Sequence, residues 1–150
     1  MAAVRHGTQV TLLRTGLVLH PQGGALGEML PLFRRGLGGK LGSGRQYWSW
    51  IHLDDWIASV CFLLERRLEG PFNLVGPSPV CQRDFAKTLA SILGRPAFLP
   101  APAFALRAVL GCFASEVLTS KRLLPTRLTE EGFSFHYPTL KEALAHLLGV

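Results

Sequence analysis

The run Gln9–Leu19 limits the folds open to this chain more than any other stretch. Its residues, QVTLLRTGLVL, are rich in strand formers and almost unbroken in apolar character, with Gly16 inside the run. Such a run is typical of a parallel strand covered on both faces, because a strand with one wet face alternates apolar and polar residues. Parallel neighbours need crossover connections, which are usually helices. The run therefore predicts an α/β fold with a buried parallel strand.

Four later stretches have helical spacing and helix-end signals. The predicted helices are Ala25–Arg35, Trp56–Arg67, Gln82–Leu93 and a C-terminal helix that Thr139 opens. In the second helix, five apolar residues recur at helical intervals and predict its buried face: Ile57, Val60, Cys61, Leu64 and Leu68. In the last helix, Thr139 and Glu142 form a capping box. Its predicted buried stripe runs through Leu140, Ala143, Leu144 and Leu147.

The stretch Gly36–Trp56 combines a glycine loop with all three tryptophans. Glycines allow tight turns and close approach to the backbone, and aromatic rings supply wide contact surfaces. A strand is expected over Tyr47–Leu53, with Asp54 or Asp55 as the N-cap of the helix that begins near Trp56. This order of loop, strand and helix start suits one wall of a ligand cleft.

The remaining segments divide the chain into two parts. Pro71–Val75 predicts a second buried strand, and the Pro-rich segment Arg95–Pro102 has the character of a linker. Beyond it we predict a helix over Ala103–Leu118, an extended segment over Ser120–Pro125 and a short strand over Phe133–His136. The expected organisation is an α/β part over residues 1–97 and a small, mainly helical part over residues 98–150.

Charge and cysteine content narrow the class of protein. The formal charge of +6 raises the question of nucleic-acid binding, but the basic residues form scattered pairs such as Arg34-Arg35 rather than a run. We therefore predict no nucleic-acid partner. Three cysteines without metal-type spacing predict reduced thiols, packed as small core residues, in a cytoplasmic protein. The apolar segment Phe98–Ala114 is interrupted by two prolines and Arg107, and no membrane association or signal peptide is predicted.

One match to a catalytic pattern fails on closer inspection. Tyr137 and Lys141 have the Tyr-x-x-x-Lys spacing of a proton-donating pair, which needs both side chains on one helical face. The proline after the tyrosine and the Thr139 cap place the tyrosine outside the helix that carries the lysine. Neither Gly-x-Gly-x-x-Gly nor the phosphate-binding Gly-x-x-x-x-Gly-Lys occurs. We predict no catalytic residue in this sequence.

Two further groups of residues are candidates for binding. His52, Asp54 and Asp55 resemble a metal or acid–base cluster, but a strand-end histidine followed by a capping carboxylate is the simpler interpretation, and no metal site is predicted. The segment Thr15–Val18 ends a predicted buried strand just before a glycine-rich loop. Ligands of open α/β sheets lie beyond the carboxyl ends of strands, and backbone amides freed by such a turn can contact a cofactor.

The chain resembles the C-terminal half of atypical extended short-chain dehydrogenases/reductases, the YfcH-like epimerase family. The matching stretches, in the family's order, are Leu13–Leu19, Gly23–Ala25, Gly36–Gly39, Gly42–Gln46, Trp50–Asp55 and Asn73–Pro79. The tail from about Phe98, with Pro125 and Gly132-Phe133, is similar to that family's own C-terminal domain. The resemblance covers nearly the whole chain.

The resemblance implies a Rossmann-type α/β fold of a few parallel strands with flanking helices, plus a small helical C-terminal subdomain. It implies NADP or NAD as the cofactor, with a nicotinamide-side loop at Gly16, Leu17 and Val18. It also implies hydride transfer between that cofactor and a substrate carbonyl or alcohol. The implied substrate wall consists of Gly23, Gly24, Arg45, Gln46, Trp48 and Trp50.

The family's glycine fingerprint and catalytic Tyr/Lys pair belong to a half that precedes these residues. We therefore expect a substrate-binding half that is inactive alone, with a separately encoded N-terminal half as a candidate partner and an unidentified small molecule as substrate. The alternatives are a stand-alone small-molecule or protein-interaction module, or a non-functional gene fragment. Sugar-nucleotide epimerases of the extended class carry an arginine where Trp48 stands. An indole cannot make that bidentate phosphate contact, so the resemblance does not extend to a sugar-nucleotide substrate.

Overall fold

A computed structural model describes residues 8–99 and 118–150 of the 150-residue chain. Its strands are β1 Thr11–Thr15, β2 Leu17–Leu19, β3 Tyr47–Trp48, β4 Trp50–His52, β5 Gly70–Leu74 and β6 Val80–Cys81. Its helices are α1 Gly24–Arg34, α2 Leu53–Glu65, α3 Gln82–Ile92, α4 Thr126–Glu130 and α5 Leu140–Leu148. Parallel strand pairs flanked by helices confirm the predicted α/β class. The helix predicted over Ala103–Leu118 lies outside the described residues, except for its last position.

Gly16 divides the predicted strand Gln9–Leu19 into two strands with different partners. β1 pairs in parallel with β5, and β2 pairs in parallel with β4, with Leu19 opposite His52. The prediction of one continuous strand is therefore wrong, because the chain passes at Gly16 from one sheet into another. The prediction of parallel pairing is confirmed.

Residues of β1 and α2 that the sequence predicts to be buried are exposed in the structure. Four of the five β1 residues are exposed, including Leu12 at 48% and Leu13 at 41%. In α2, three of the five residues predicted to be buried are exposed, with Ile57 at 48% and Leu64 at 71%, whereas Leu63 is buried. Periodicity identifies an apolar face but does not identify the neighbour that covers it. Within the described part of the chain, β1 and α2 present an open apolar surface.

The strand predicted over Tyr47–Leu53 is interrupted at Ser49 and ends at His52. β3 pairs antiparallel with β6, whereas β4 joins β2. The N-cap of α2 is His52, whose Nδ1 accepts a hydrogen bond from the Asp54 amide at 3.0 Å. The predicted aspartate cap is wrong because both aspartates already lie in the first helical turn, where their charge favours the helix dipole.

The main core joins elements from both ends of the described chain. Its buried side chains come from α1, β2, the β3–β4 region, α3 and α5, and include Leu26, Trp50, Phe85 and Leu144. The predicted capping box opens α5, with the Thr139 amide donating to the Glu142 carboxylate at 3.1 Å. A second cluster, which includes Phe72 and Leu128, holds α4 against β5. The C-terminal helix α5 and the early strand β2 thus contribute side chains to the same core.

Smaller features of the fold also differ from the sequence analysis. Residues 133–136 form no strand. Phe133 instead packs edge-to-face against Phe62 and Phe135. Cys61 is an exposed free thiol rather than a core residue.

Among the described helices, none is both long and apolar enough to cross a membrane.

Candidate functional site

A shallow cavity of about 90 Å³ opens where β1 gives way to β2. It is lined by residues 15–17, by residues 47–49, and by Thr119, Lys121 and Leu123 of the C-terminal segment. The cavity lies at the carboxyl end of β1, which is the edge of a parallel sheet where α/β proteins bind ligands. The turn that the sequence singled out therefore borders the cavity.

Gly16 makes a close backbone approach at the base of this cavity. A Cβ atom there would lie 2.2 Å from the Ser49 carbonyl oxygen and 2.6 Å from Val75 Cγ1, so only glycine fits. The Gly16 amide donates to the Leu74 carbonyl at 3.1 Å, and the Leu17 amide donates to the Ser49 carbonyl at 2.8 Å. The sequence analysis expected the backbone amides of this turn to be available to a cofactor. For Gly16 and Leu17 this is wrong, because both amides are hydrogen-bonded within the chain. The assignment of Gly16, Leu17 and Val18 to cofactor binding stays a prediction.

Ser49 holds the C-terminal segment against the cavity. Its hydroxyl donates to the Lys121 carbonyl at 2.7 Å and accepts from the Leu123 amide at 2.7 Å. Tyr47 adds two contacts, since its amide donates to Ser120 Oγ at 3.0 Å and its carbonyl accepts from the Lys121 amide at 3.1 Å. One wall of the cavity is thus fixed onto the β3–β4 junction by main-chain and hydroxyl hydrogen bonds.

We expect Ser49→Ala to lower the free energy of unfolding by about 1–3 kcal/mol, because it leaves the partly buried Leu123 amide without its acceptor. Ser134→Ala, at an exposed residue between α4 and α5, is the matched control and should cost less than about 0.5 kcal/mol. Urea titration of both variants measures the difference. Equal losses would show that the Ser49 hydroxyl does not hold the segment.

The aromatic and amide residues of the predicted substrate wall lie in different environments. Trp48 lines the cavity and packs edge-to-face on Phe85, with ring centroids 5.0 Å apart. Trp50 is fully buried and its indole N–H donates to the Ser78 carbonyl at 2.8 Å, so it is a core residue. Gln46 is also buried, and its Nε2 donates to the Leu41 carbonyl at 3.0 Å. Of these three predicted residues, the structure places Trp48 at the cavity.

The other predicted wall residues lie away from the cavity lining. Arg45 is exposed, and its amide donates to Ser43 Oγ at 3.2 Å. Gly23 is the N-cap of α1, and Gly24 begins that helix with φ +60°. Both glycines follow the carboxyl end of β2, whereas the cavity lies at its amino end. Their contact with a substrate stays a prediction.

Six cavity residues were not among the site residues that the resemblance implies: Thr15, Tyr47, Ser49, Thr119, Lys121 and Leu123. Tyr47 had a usable signal, as an aromatic residue beside the glycine loop. Ser49 and Lys121 had none, because the bond between them joins positions 72 residues apart.

Known proteins are similar to this chain in sequence and in fold. The epimerase family protein Mb2239 of Mycobacterium bovis is 45% identical over 146 residues, which are 96% of this chain and 48% of that protein. The human epimerase family protein SDR39U1, solved with NADPH, superposes with a TM-score of 0.89 at 38% identity, over 95% of this chain and 49% of that one. The chain matches the C-terminal half of the epimerase family proteins.

This match confirms the resemblance seen in the sequence. Residues 101–147 also match a family described as a domain of unknown function, DUF1731. The UDP-glucose 4-epimerase of Thermus thermophilus, solved with NAD, superposes with a TM-score of 0.70 at 16% identity and shows the shared Rossmann-like fold alone. The chain spans about half the length of the relatives that it matches.

A second polar group lies at the carboxyl end of β4. His52 is 1% exposed, and because its Nδ1 accepts from the Asp54 amide, its proton lies on Nε2. His52 Nε2 then donates to His146 Nδ1 of α5 at 3.0 Å. Tyr137 stacks on both imidazoles, at centroid distances of 4.0 and 4.6 Å. We call His52, Tyr137 and His146 the histidine latch, since they join α5 to the corner between β4 and α2.

The histidine latch suits neither a metal centre nor a catalytic tyrosine. His52, Asp54 and His146 offer ligand atoms within 4.8 Å of one another, yet hydrogen bonds occupy both ring nitrogens of His52. Tyr137 precedes α5, and partial burial, with Asp54 and Asp55, raises its pKa. A general acid that works near neutral pH needs the opposite shift. The structure confirms that Tyr137 lies outside the helix that carries Lys141, and the absence of a catalytic pair stays a prediction.

We expect the histidine latch to make the fold less stable in mild acid. Burial, reinforced by His146 and opposed by Asp54, lowers the pKa of His52 below 6.5. The unfolded chain therefore takes up a proton at a higher pH than the folded chain. The contribution of His52 to stability is complete above pH 6.5 and is lost as the pH falls below that value towards the lower folded pKa.

Thermal unfolding of the wild type and of His52→Asn at about pH 7.5 and about pH 5 measures this effect, since asparagine can cap α2 but does not titrate. The wild type should lose more stability than the variant over that interval. A loss of the same size in both proteins would contradict the role of His52.

Proposed function

We propose that this chain forms the substrate-facing side of an oxidoreductase or epimerase-like site that uses NADP or NAD. One observation carries the proposal: the cavity lies at the carboxyl end of β1 in a chain 38% identical to a protein solved with NADPH. The reaction class is hydride transfer between the nicotinamide and a carbonyl or alcohol, which the cofactor supplies when bound.

The cavity residues suit orientation of a ligand and exclusion of water. Tyr47 and Trp48 provide flat walls, Gly16 leaves the base free of a side chain, and Ser49 holds the C-terminal wall in place. Fixed walls of this kind accelerate a reaction by positioning the reactants. A cavity of about 90 Å³ is well below the roughly 300–1,000 Å³ of common ligand pockets. It therefore accepts one end of a ligand rather than a whole dinucleotide.

The isolated 150-residue chain is, in this proposal, inactive in hydride transfer. Its sequence contains no Gly-x-Gly-x-x-Gly, and its Tyr-x-x-x-Lys match is part of the capped turn before α5. Titration of the purified chain with NADPH, followed by nicotinamide fluorescence, is the direct test. We expect a dissociation constant weaker than about 1 mM. Micromolar binding would overturn the proposal that this chain supplies only the substrate side.

A second candidate function, docking of another α/β unit, is favoured by the open apolar surface of β1 and α2. Among the described strands, β1 hydrogen-bonds to β5 alone, which leaves its other edge open. Leu12, Leu13, Ile57 and Leu64 are exposed beside that edge or on α2. Open strand edges with apolar side chains pair readily with other strands. The partner that we propose is a separately encoded N-terminal half, equivalent to the part of the relatives' single chains that this chain does not match.

Mixing the chain with the separately expressed N-terminal half of the Mycobacterium bovis relative tests this docking. Light scattering should show a one-to-one complex, and NADPH binding should appear in the mixture. Leu13→Lys should abolish the complex, because a lysine on a strand edge opposes pairing. Leu37→Lys, at a residue 51% exposed in a loop, is the matched control and should leave the complex intact. The absence of a complex would remove this candidate.

A further inference from the structure

We infer that a basic surface of this chain docks on a membrane surface that carries anionic lipid headgroups. Two stretches form it, residues 34–45 and residues 83–95. Their exposed cationic side chains, which we call the basic surface, are Arg34, Arg35, Lys40, Arg45, Arg83, Lys87 and Arg95. None of them lines the cavity, so the inference is independent of the proposed function.

The whole net charge of the chain lies on the basic surface. The two stretches contain seven of the sixteen lysines and arginines but only one of the ten acidic residues, Asp84. They therefore carry the formal charge of +6, and the rest of the chain is neutral. Asp84 Oδ1 lies 3.8 Å from Arg83 Nε, and both side chains are about half exposed. Charge that is concentrated in this way attracts an anionic partner.

The fold brings the two stretches together, although the basic residues are scattered along the sequence and predict no membrane association there. The Leu41 amide donates to Gln82 Oε1 at 2.8 Å, and the Arg83 amide donates to the Gly44 carbonyl at 3.0 Å. A Cβ built at Gly44 would lie 3.1 Å from the Cβ atoms of both Lys40 and Arg83. The side chains of Lys40 and Arg83 therefore start on either side of one turn.

The other ends of the two stretches also meet. A Cβ built at Gly36 would lie 3.6 Å from Pro96 Cγ, and Arg35 and Arg95 directly precede these two residues. The loop after α1 therefore runs beside α3 from one end of the helix to the other. The basic surface extends over about 16 Å, which is the length of an 11-residue helix.

Large apolar side chains are exposed at the Arg95 end of the basic surface. Phe98 is 84% exposed, Leu99 52% and Leu37 51%. The Leu99 amide donates to the Gly38 carbonyl at 3.3 Å, so the segments that carry these side chains are in contact. The backbone of a nucleic-acid duplex matches cations alone, whereas a bilayer takes up cations at its headgroups and apolar side chains at the acyl boundary. Both features together favour a lipid surface over a nucleic acid.

Co-sedimentation of the 150-residue chain with vesicles tests the inference. One set of vesicles contains phosphatidylcholine alone, and the other contains phosphatidylcholine mixed with phosphatidylserine. We expect the mixed vesicles to bind the chain at least about tenfold more tightly, because each cation near an anionic leaflet contributes a factor of about five. High salt should weaken this binding, because it screens the charges.

Two variants with the same change in net charge locate the binding surface. Lys40→Glu should weaken binding to the mixed vesicles about tenfold or more, because it replaces an attraction by a repulsion. Arg67→Glu, at an exposed residue just after α2, is the control and should weaken binding less than about twofold. Phe98→Ala tests the apolar contact and should weaken binding at least about threefold. Each variant is checked by its thermal unfolding midpoint before the binding assay.

Four outcomes would overturn the inference. Equal binding to both sets of vesicles would show that the anionic headgroups are not recognised, and equal losses in Lys40→Glu and Arg67→Glu would show that the basic surface is not the contact. If Phe98→Ala bound as tightly as the wild type, the apolar side chains would not enter the bilayer. Binding to duplex DNA in place of the mixed vesicles would assign the basic surface to a nucleic acid.

Discussion

Gly16→Ala is expected to destabilise the chain by about 3–5 kcal/mol, which is a large part of the stability of a small domain. The new Cβ would lie 2.2 Å from the Ser49 carbonyl oxygen and 2.6 Å from Val75 Cγ1. The Ser49 carbonyl cannot simply move away, because it accepts the Leu17 amide at 2.8 Å. The strain therefore falls on the backbone that joins β1, β2 and β4. Urea titration measures the loss.

Gly23→Ala is the matched control for this substitution. A Cβ at Gly23 meets nothing within 4 Å, and the extended φ of −165° is open to any residue. Its replacement at a helix N-cap should cost less than about 1 kcal/mol. Equal stability of the two variants would mean that the close approach at Gly16 is absent in solution, and the cavity geometry with it.

Asp55→Asn should have the second-largest effect, a loss of about 3 kcal/mol in the free energy of unfolding. Asp55 is fully buried, and its carboxylate accepts from the amides of His136 and Tyr137 at 2.8 and 3.0 Å. His136 Nδ1 lies 3.1 Å from the same carboxylate. Asparagine has one acceptor oxygen, so its amino group would face an N–H donor. One buried amide would lose its partner.

The consequence reaches beyond one hydrogen bond, since Asp55 lies in the first turn of α2 and residues 136–137 lead into α5. Asp55 therefore joins the α/β part to the C-terminal part and places Tyr137 in the histidine latch. Asp54→Asn is the control, because that side chain is 57% exposed. Its loss should stay below about 0.5 kcal/mol. Backbone amide shifts of His136 and Tyr137 should change in Asp55→Asn alone, and a change of similar size in both variants would refute the assignment.

Local signals predicted α1, α3 and the start of α5 closely, placed the start of α2 three residues too late and missed α4. α1 and α3 begin and end within one residue of the predicted bounds, and α5 begins at the predicted capping box. These signals are short in range: an N-cap hydroxyl, a glycine past the last turn and an apolar stripe act within a few residues. The N-cap of α2 was missed because a histidine took a role usually held by Asp, Asn, Ser or Thr.

Short-range sequence signals did not predict the contacts between residues that are far apart in the chain. The strand breaks at Gly16 because the Gly16 backbone lies close to the Ser49 carbonyl. Nothing in the sequence around either residue indicates that the two are in contact. The exposed stripe of α2 has the same helical spacing as a buried one. Spacing determines a face, and the neighbouring elements determine whether that face is covered.

The sequence by itself determined the α/β class, the parallel pairing, most helix bounds and the turn that borders the cavity, because each depends on residues close together in the chain. Only the tertiary structure decided the site. Ser49 and the Lys121 carbonyl are 72 positions apart and meet at 2.7 Å. The tertiary structure also shows that Trp50 lies in the core and that Asp54 and Asp55 lie inside α2. A hydrogen bond or a buried face depends on where the fold brings two segments together, and no single segment encodes that position.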